Sequence, residues 1–323
     1  TQGINLVSFK KSNKYSQVTK ILKKVLNENN EIIKSLRQNY KYSFKKKKIK
    51  KFKKNVNFRI IGMGGSSLGA KAIYNFLKHK IKKNFVFVDN LVSRKNKDKV
   101  KNINLIVSKS GNTLETIVNT NFFVKKNEKN IFITENKKSF LRNLALQLKA
   151  EIIDHKNYIG GRYSVLSEVG MLPAEIMGLN EKKFKRFNYL INNNNFLNGI
   201  TKNVSAILKF IKEKRFNSII LNYDKSSENL FKWYQQLVAE SLGKKSKGIL
   251  PIISKMPSDN HSLLQLYLDG PKNNFFTFFY THDGNSEKIN NKLLQKTHNY
   301  LKNKSFSKII YAQKSATEKI FFK

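Results

Sequence analysis

Residues 58–70 read FRIIGMGGSSLGA, an apolar run that breaks into glycines and two adjacent serines, Ser66 and Ser67. Residues 56–61 are rich in β-branched and aromatic side chains and read as a strand. Residues 71–80 then space Ile73, Phe76 and Leu77 along one helix face. A strand that turns through glycines into a helix aims free backbone N–H groups, and the positive end of the helix dipole, at one point. That point suits phosphate. A second segment repeats the pattern: a strand expected over Ile103–Val107 ends in SKSGNTLET, which gathers Ser108, Lys109, Ser110 and Thr113 where a strand meets the next helix.

The first loop admits three phosphate readings. A nucleotide P-loop needs G-x-x-x-x-G-K-[ST]; Gly64 and Gly69 give the glycine spacing, but Ala70 holds the lysine position and Ala72 follows Lys71. A dinucleotide fingerprint fares little better, because Gly62, Gly64 and Ser67 end in a serine, although Asp89 stands where a ribose-binding acid would. The third reading uses the serines themselves as donors to a phosphate monoester. It requires a second donor loop on the same sheet edge, and the 108–113 segment supplies one. Ordinary turn and cap residues would explain either loop alone, but explain the two together less well.

These loops need a scaffold, and the chain has the pattern of one. Strand signals at 56–61, 85–89, Ile103–Val107 and 131–134 alternate with helical patterns at 71–80, 113–125 and 140–149, which predicts a doubly wound parallel sheet with its ligand beyond the carboxyl ends of the strands. Residues 15–36 predict one or two amphipathic helices ahead of it, joined by the basic run 45–54 (KKKKIKKFKK). After residues 182–195, whose INNNN end reads as a loop, a second α/β unit follows. It has a helix over 201–214, a strand over 218–222, a helix over Glu228–Leu242 and a strand over 275–280.

Composition narrows the function classes. The chain has 323 residues and 40% hydrophobic content, enough for two domains with substantial cores. No run approaches the roughly 18 apolar residues of a membrane span, the start TQGINLVSFKK lacks a signal-peptide core, and without cysteine there is neither a disulfide framework nor a thiolate metal site. A bacterial-type cytoplasmic location is expected. The net charge of +42 would suggest nucleic acid, yet seven arginines stand against 56 lysines, whereas nucleic-acid recognition favours the arginine fork. With asparagine and isoleucine also abundant, the bias reads as a codon effect, and neither a nucleic-acid nor a membrane partner is expected.

GMGGSSLGA, SKSGNTLET, GGRYSVLSEVG and WYQQLVAESLGK together resemble the glucose-6-phosphate isomerase family of sugar-isomerase-domain proteins, over residues 56–316. The resemblance implies two doubly wound α/β sandwich domains, divided here as a helical arm 1–54, a first domain 55–180 and a second, incomplete domain 181–323. It implies interconversion of glucose 6-phosphate and fructose 6-phosphate through a cis-enediol in glycolysis and gluconeogenesis, with no metal and no organic cofactor, in a homodimer. Ser66, Ser108, Lys109, Ser110 and Thr113 match the phosphate grip. Gly64, Gly65, Gly161 and Gln236 match substrate-binding positions. Arg162 matches the cation that stabilises the enediolate, and Glu240 the base that moves a proton between C1 and C2.

Gln236 and Glu240 lie four residues apart on one helix face, and Gly243 is expected to end that helix. His261 matches a ring-opening histidine that arrives from the neighbouring subunit; its context, PSDNHSLLQ, carries Asn260 where glutamine is expected. Nothing in residues 311–323 matches the family's C-terminal lysine motif, so the chain reads as truncated there and at its N-terminus; the alternative is an untruncated site in which Lys244 or Lys314 supplies the second proton-transfer group. The rival functions are a phosphosugar sensor without catalysis and, on net charge alone, a nucleic-acid-binding module.

Overall fold

The computed structural model describes residues 15–52, 54, 56–91 and 102–321. The expected absence of a leader falls on residues 1–14, and so lies outside the described residues. Lys53 of the basic run and residues 322–323 also lie outside them.

The N-terminal arm forms α1 (Tyr15–Asn27) and α2 (Glu31–Leu36), as the spacing of Val18, Ile21, Leu22, Ile32 and Ile33 predicts. The basic run folds as a short helix, α3 (Lys46–Ile49), and a 3-10 turn. Three of its described lysines are paired, Lys46 with Glu181 at 2.7 Å and Lys48 and Lys51 with Glu151 at 3.4 and 3.0 Å, while Ile49 and Phe52 turn into the core.

Five parallel strands follow, β1 (Asn57–Ile61), β2 (Asn84–Val88), β3 (Ile103–Val107), β4 (Asn130–Thr134) and β5 (Glu151–Asp154), in spatial order β2-β1-β3-β4-β5. Every residue of β3 and β4 is buried, which explains their near-continuous apolar sequence. Helices α4 (Leu68–Phe76) and α7 (Glu168–Ile176) pack with Phe58, Ile60, Leu105 and Ile133 on one face. Helices α5 (Leu114–Phe123) and α6 (Phe140–Gln147) pack with Ile61, Ile106 and Phe132 on the other. This is a doubly wound α/β/α sandwich.

A second parallel sheet contains β6 (Asn217–Asn222), β7 (Leu250–Lys255) and β8 (Asn274–Phe279) in the order β7-β6-β8. It is accompanied by α8 (Asn194–Lys212), α9 (Glu228–Leu242), α10 (Leu264–Asp269) and α11 (Phe306–Phe321). Relative to its first strand, this order repeats the first three strands of the other sheet. Ile310 and Phe321 of α11 close one face over Ile219, Leu221 and Tyr223.

Several elements depart from expectation, three of them for a clear physical reason. β5 and β7 are edge strands without clear sequence signals: β5 has four residues, and β7 contains Pro251, tolerated because an edge strand leaves one hydrogen-bonding side unused. Helix α8 begins at Asn194 rather than 201. The asparagine run expected to be a loop supplies its cap, Asn193 accepting the Phe196 N–H at 2.9 Å.

The arm is fastened by buried polar groups. Glu168, fully buried at the start of α7, accepts the Tyr40 hydroxyl at 3.0 Å and the Ser43 N–H at 2.8 Å. Lys185, 3% exposed, donates to the Ser35 carbonyl at 2.8 Å and lies 4.5 and 5.1 Å from the ring centroids of Tyr40 and Tyr42. Burial pushes the Lys185 ammonium down to about 8 from an ordinary 10.5. Between those values the unfolded chain binds more protons than the native one, so this site adds stability as pH rises. In chemical denaturation between pH 8 and 9.5, the wild type should gain stability relative to Lys185→Met. Parallel pH curves for the two proteins would show that Lys185 keeps an ordinary affinity for its proton.

Candidate active site

Strand order reverses at β1, so the loops leaving β1 and β3 diverge to opposite faces of the sheet and open a crevice at their carboxyl ends. The two serine loops are these loops. The first forms a 3-10 turn, Gly64–Ser66, running into α4; the second runs from Ser108 to Thr113 into α5. Ser67 and Thr113 occupy the N-cap positions of α4 and α5, yet neither side chain makes a capping hydrogen bond. The two helix starts therefore point N–H groups at the crevice without competition from their own caps. Ser66 is partly exposed, and its hydroxyl has no partner among the described residues.

The second loop is pre-shaped. Ser108, 1% exposed, accepts the Gly111 N–H at 3.2 Å and lies 3.0 Å from the Thr113 hydroxyl, while exposed Ser110 accepts the Asn112 N–H at 3.2 Å. Lys109 turns aside, its ammonium 2.6 Å from the Asn157 carbonyl and 3.6 Å from Glu135. Asp89, the acid considered for a ribose, is held by Lys71 at 2.7 Å.

Arg162 reaches this crevice through backbone contact. A Cβ placed on Gly65 would lie 2.3 Å from the carbonyl carbon and oxygen of Gly161, so only glycine lets the two loops touch. Ser164 ties the contact by donating to the Gly161 carbonyl at 2.7 Å and the Gly65 carbonyl at 3.2 Å. Gly64 has a left-handed φ of +51°, and a Cβ there would lie 3.0 Å from Gln236 Nε2 on α9. Helix α9 itself packs against α4 and β7, and so joins the two sheets.

The last turns of α9 meet Arg162. Glu240 Oε1 accepts from Arg162 Nη1 at 2.8 Å, Ser241 Oγ accepts from Arg162 Nε at 2.8 Å, and Gln236 Nε2 donates to Glu240 Oε2 at 3.3 Å. One turn back, Trp233 Nε1 donates to the Arg162 carbonyl at 3.2 Å. The Tyr163 hydroxyl lies 3.1 Å from Ser241 Oγ, and its ring centroid 4.5 Å from the guanidinium carbon. The hydrogen bond to Ser241, aided by the Arg162 and Lys244 cations, holds the Tyr163 phenol below its ordinary range despite partial burial. Arg162 is largely enclosed at 17% side-chain exposure, whereas Glu240 is half exposed. Gln236 Oε1 is buried with no hydrogen-bond partner among the described residues.

The structure thus brings Gly64, Gly65, Gly161, Arg162, Gln236 and Glu240 together. His261 stands apart: it ends the exposed turn Ser258–His261 beyond β7 and makes no hydrogen bond to Arg162 or Glu240 among the described residues. Lys314 is engaged by Glu318 at 2.5 Å on α11. Sequence reasoning missed Ser241, Tyr163, Ser164 and Trp233, whose only signal was adjacency to Arg162 or a place on the helix of Glu240. Among the described residues no cluster of three His, Asp or Glu side chains is placed to hold a metal, and no helix is long and apolar enough to cross a membrane.

A guanidinium and a carboxylate side by side, next to two hydroxyl-rich loops, suit proton transfer at a carbon whose charge develops on oxygen. Comparison with known proteins agrees with that chemistry. Residues 9–254 match the phosphoglucose isomerase family model. A glucose-6-phosphate isomerase from Methanocaldococcus jannaschii is 33% identical over 292 residues, covering 81% of this chain and 69% of that protein. Three further curated relatives are matched over 56 to 62% of their length. Among solved structures, a hypothetical protein from Thermus thermophilus superposes with a TM-score of 0.76 at 20% identity, covering 95% of this chain and 80% of that one. A glucose-6-phosphate isomerase from Chlamydia trachomatis does so at 0.64 and 19%, covering 93% and 63%. The chain belongs to the phosphoglucose isomerase family.

Proposed function

We propose that the chain interconverts glucose 6-phosphate and fructose 6-phosphate through a cis-enediolate. The observation that carries this reading is the Arg162–Glu240 pair at 2.8 Å, set where Gly65 contacts Gly161 beside the first anion loop. The names of the sequence relatives support the choice of substrate.

The phosphate lies between the starts of α4 and α5, where backbone N–H groups and the hydroxyls of Ser66, Ser110 and Thr113 meet it. Ser108 shapes that loop from within, and Lys109 contributes charge rather than contact, since its ammonium is already held. Held by its phosphate, the open-chain aldose extends towards α9. The Glu240 carboxylate takes the proton from C2, electrons move to the carbonyl oxygen on C1, and Arg162 neutralises the enediolate that forms. Glu240 then returns the proton to C1 while the proton of the C2 hydroxyl passes to the C1 oxygen, and the ketose results. Gln236 orients the sugar, its unpaired Oε1 accepting from a substrate hydroxyl.

His261 opens the ring in trans, supplied by the partner subunit of a homodimer. Its exposed turn, with no bond to the Arg162–Glu240 network, supports that assignment. A phosphosugar sensor would use the serine loops, but has no need of a carboxylate paired to an arginine beside them.

Glu240→Gln keeps the side chain's shape but removes its basicity. Turnover in a coupled assay should fall roughly 10²–10⁴-fold with substrate binding retained; near-normal turnover would remove Glu240 from the proton transfer. Replacing Ser108 and Thr113 together by alanine should weaken binding of the phosphorylated sugar much more than that of the free sugar, since the Thr113 bond to a charged oxygen contributes about 1.5–3 kcal/mol and loss of Ser108 loosens the loop that presents the other donors. Equal losses in calorimetry with the two ligands would place the phosphate elsewhere.

A further inference from the structure

We propose that Ser241, held in turn by the Tyr163 hydroxyl, is a positioning residue that keeps Arg162 in place while Glu240 loses its charge; the proposal rests on the isomerase reading above. Glu240 and Ser241 are consecutive on α9 and bind different nitrogens of one guanidinium, Nη1 and Nε, each at 2.8 Å. Of the five N–H donors on an arginine, these two bonds leave three for substrate oxygens.

The two bonds respond differently to the reaction. Before proton transfer Glu240 is a carboxylate and its ion pair holds Arg162. Once it has taken the C2 proton, Glu240 is neutral and the negative charge lies on the enediolate. The ion pair weakens just when the cation is most needed. The Ser241 bond involves an uncharged oxygen and does not depend on the protonation of Glu240. The Tyr163 ring, 4.5 Å from the guanidinium carbon, covers one face and limits its swing.

The behaviour of other helix hydroxyls sharpens the assignment. Thr120, Thr201, Ser205 and Thr317 each donate back to the carbonyl four residues earlier in their own helix, the usual choice for such a side chain. Ser241 instead reaches across to Arg162 and Tyr163, 79 and 78 residues away in sequence. A hydroxyl accepts through two lone pairs and donates one hydrogen. Ser241 can therefore take the Nε–H and share a hydrogen with the Tyr163 hydroxyl at the same time. The lowered affinity of the Tyr163 phenol for its proton, caused first by this bond, is consistent with that geometry.

The test measures kcat and KM for the wild type, Ser241→Ala, Ser241→Thr, Tyr163→Phe and the Ser241→Ala/Tyr163→Phe pair. Ser241→Ala should lower kcat roughly 10- to 100-fold, the effect of one lost hydrogen bond to a charged group, with KM changed less than about threefold. Threonine should restore most of the rate, phenylalanine at 163 should give an intermediate loss, and the double variant should be no slower than Ser241→Ala. An unchanged kcat in Ser241→Ala, a loss confined to KM, or no rescue by threonine would overturn the proposal.

A second readout does not depend on activity. The Arg162 Nε–H signal in proton–nitrogen NMR, assigned by its loss in Arg162→Lys, should be protected from exchange in the wild type and lost in Ser241→Ala. If the wild-type chain shows no turnover, the isomerase reading falls, and this signal alone judges the contact. Its persistence in Ser241→Ala would overturn the positioning role.

Discussion

The site depends on one contact between two glycines. Gly65 presses against the Gly161 backbone with no room for a methyl group at position 65, whereas one at position 161 would meet nothing closer than 3.8 Å. Their loops come from separate parts of the first sheet unit, and the sheet's hydrogen bonds do not join them. The contact sets the distance between the start of α4 and the side chain of Arg162. A side chain at position 65 would have to push the loops apart by about an ångström or more, since close-packed interiors rarely absorb such overlap locally. The Ser164 hydroxyl, bonded to the carbonyls of Gly161 and Gly65, resists the same separation.

Helix α9 extends this constraint to the second unit. It belongs in sequence to the three-stranded sheet, where Gln235 donates to the Pro251 carbonyl at 2.6 Å, yet it packs along α4 of the first. Trp233 fastens it to the Arg162 carbonyl, and Gly64 admits Gln236 at close range. Glu240 is therefore held by one unit and the serine loops by the other, with a single fifteen-residue helix fixing their separation. A rigid element suits that task better than a loop, because a small misplacement between a carboxylate and the carbon it deprotonates has a large effect on rate.

What was legible in the sequence was local. β3 and α9 lie where their side-chain periodicities put them, and the strand–serine loop–helix pattern disclosed two loops that open on one edge of the sheet. Edge strands escaped because their signals are short or interrupted, as Pro251 shows in β7. The Asn193 cap escaped because an asparagine run reads equally as a loop. Arg162 could be singled out only through the GGRYS resemblance, and its bond to Ser241 spans 79 residues of sequence. Lys185 was indistinguishable from its many exposed counterparts, since burial of one lysine among 56 leaves no mark on composition.

That lysine excess also clarifies the arginines. If the bias is a codon effect, a solvated face accepts lysine readily, because either cation satisfies water. Arg59, Arg142 and Arg162 occupy places where a point charge would not serve. Arg59, 4% exposed within β1, donates to Asn104 at 3.0 Å and the Phe123 carbonyl at 3.3 Å while lying 4.9 Å from the Phe123 ring centroid. Arg142 bridges the Glu135 carbonyl at 3.1 Å and Asp154 at 2.9 Å. Arg162 binds a serine and a carboxylate through different nitrogens and lies against a tyrosine ring. Arg162 uses two different nitrogens of one rigid plane, Nε and Nη1, which an ammonium cannot reproduce. In so basic a chain, net charge says little about partners, and the informative cations are those whose geometry lysine could not copy.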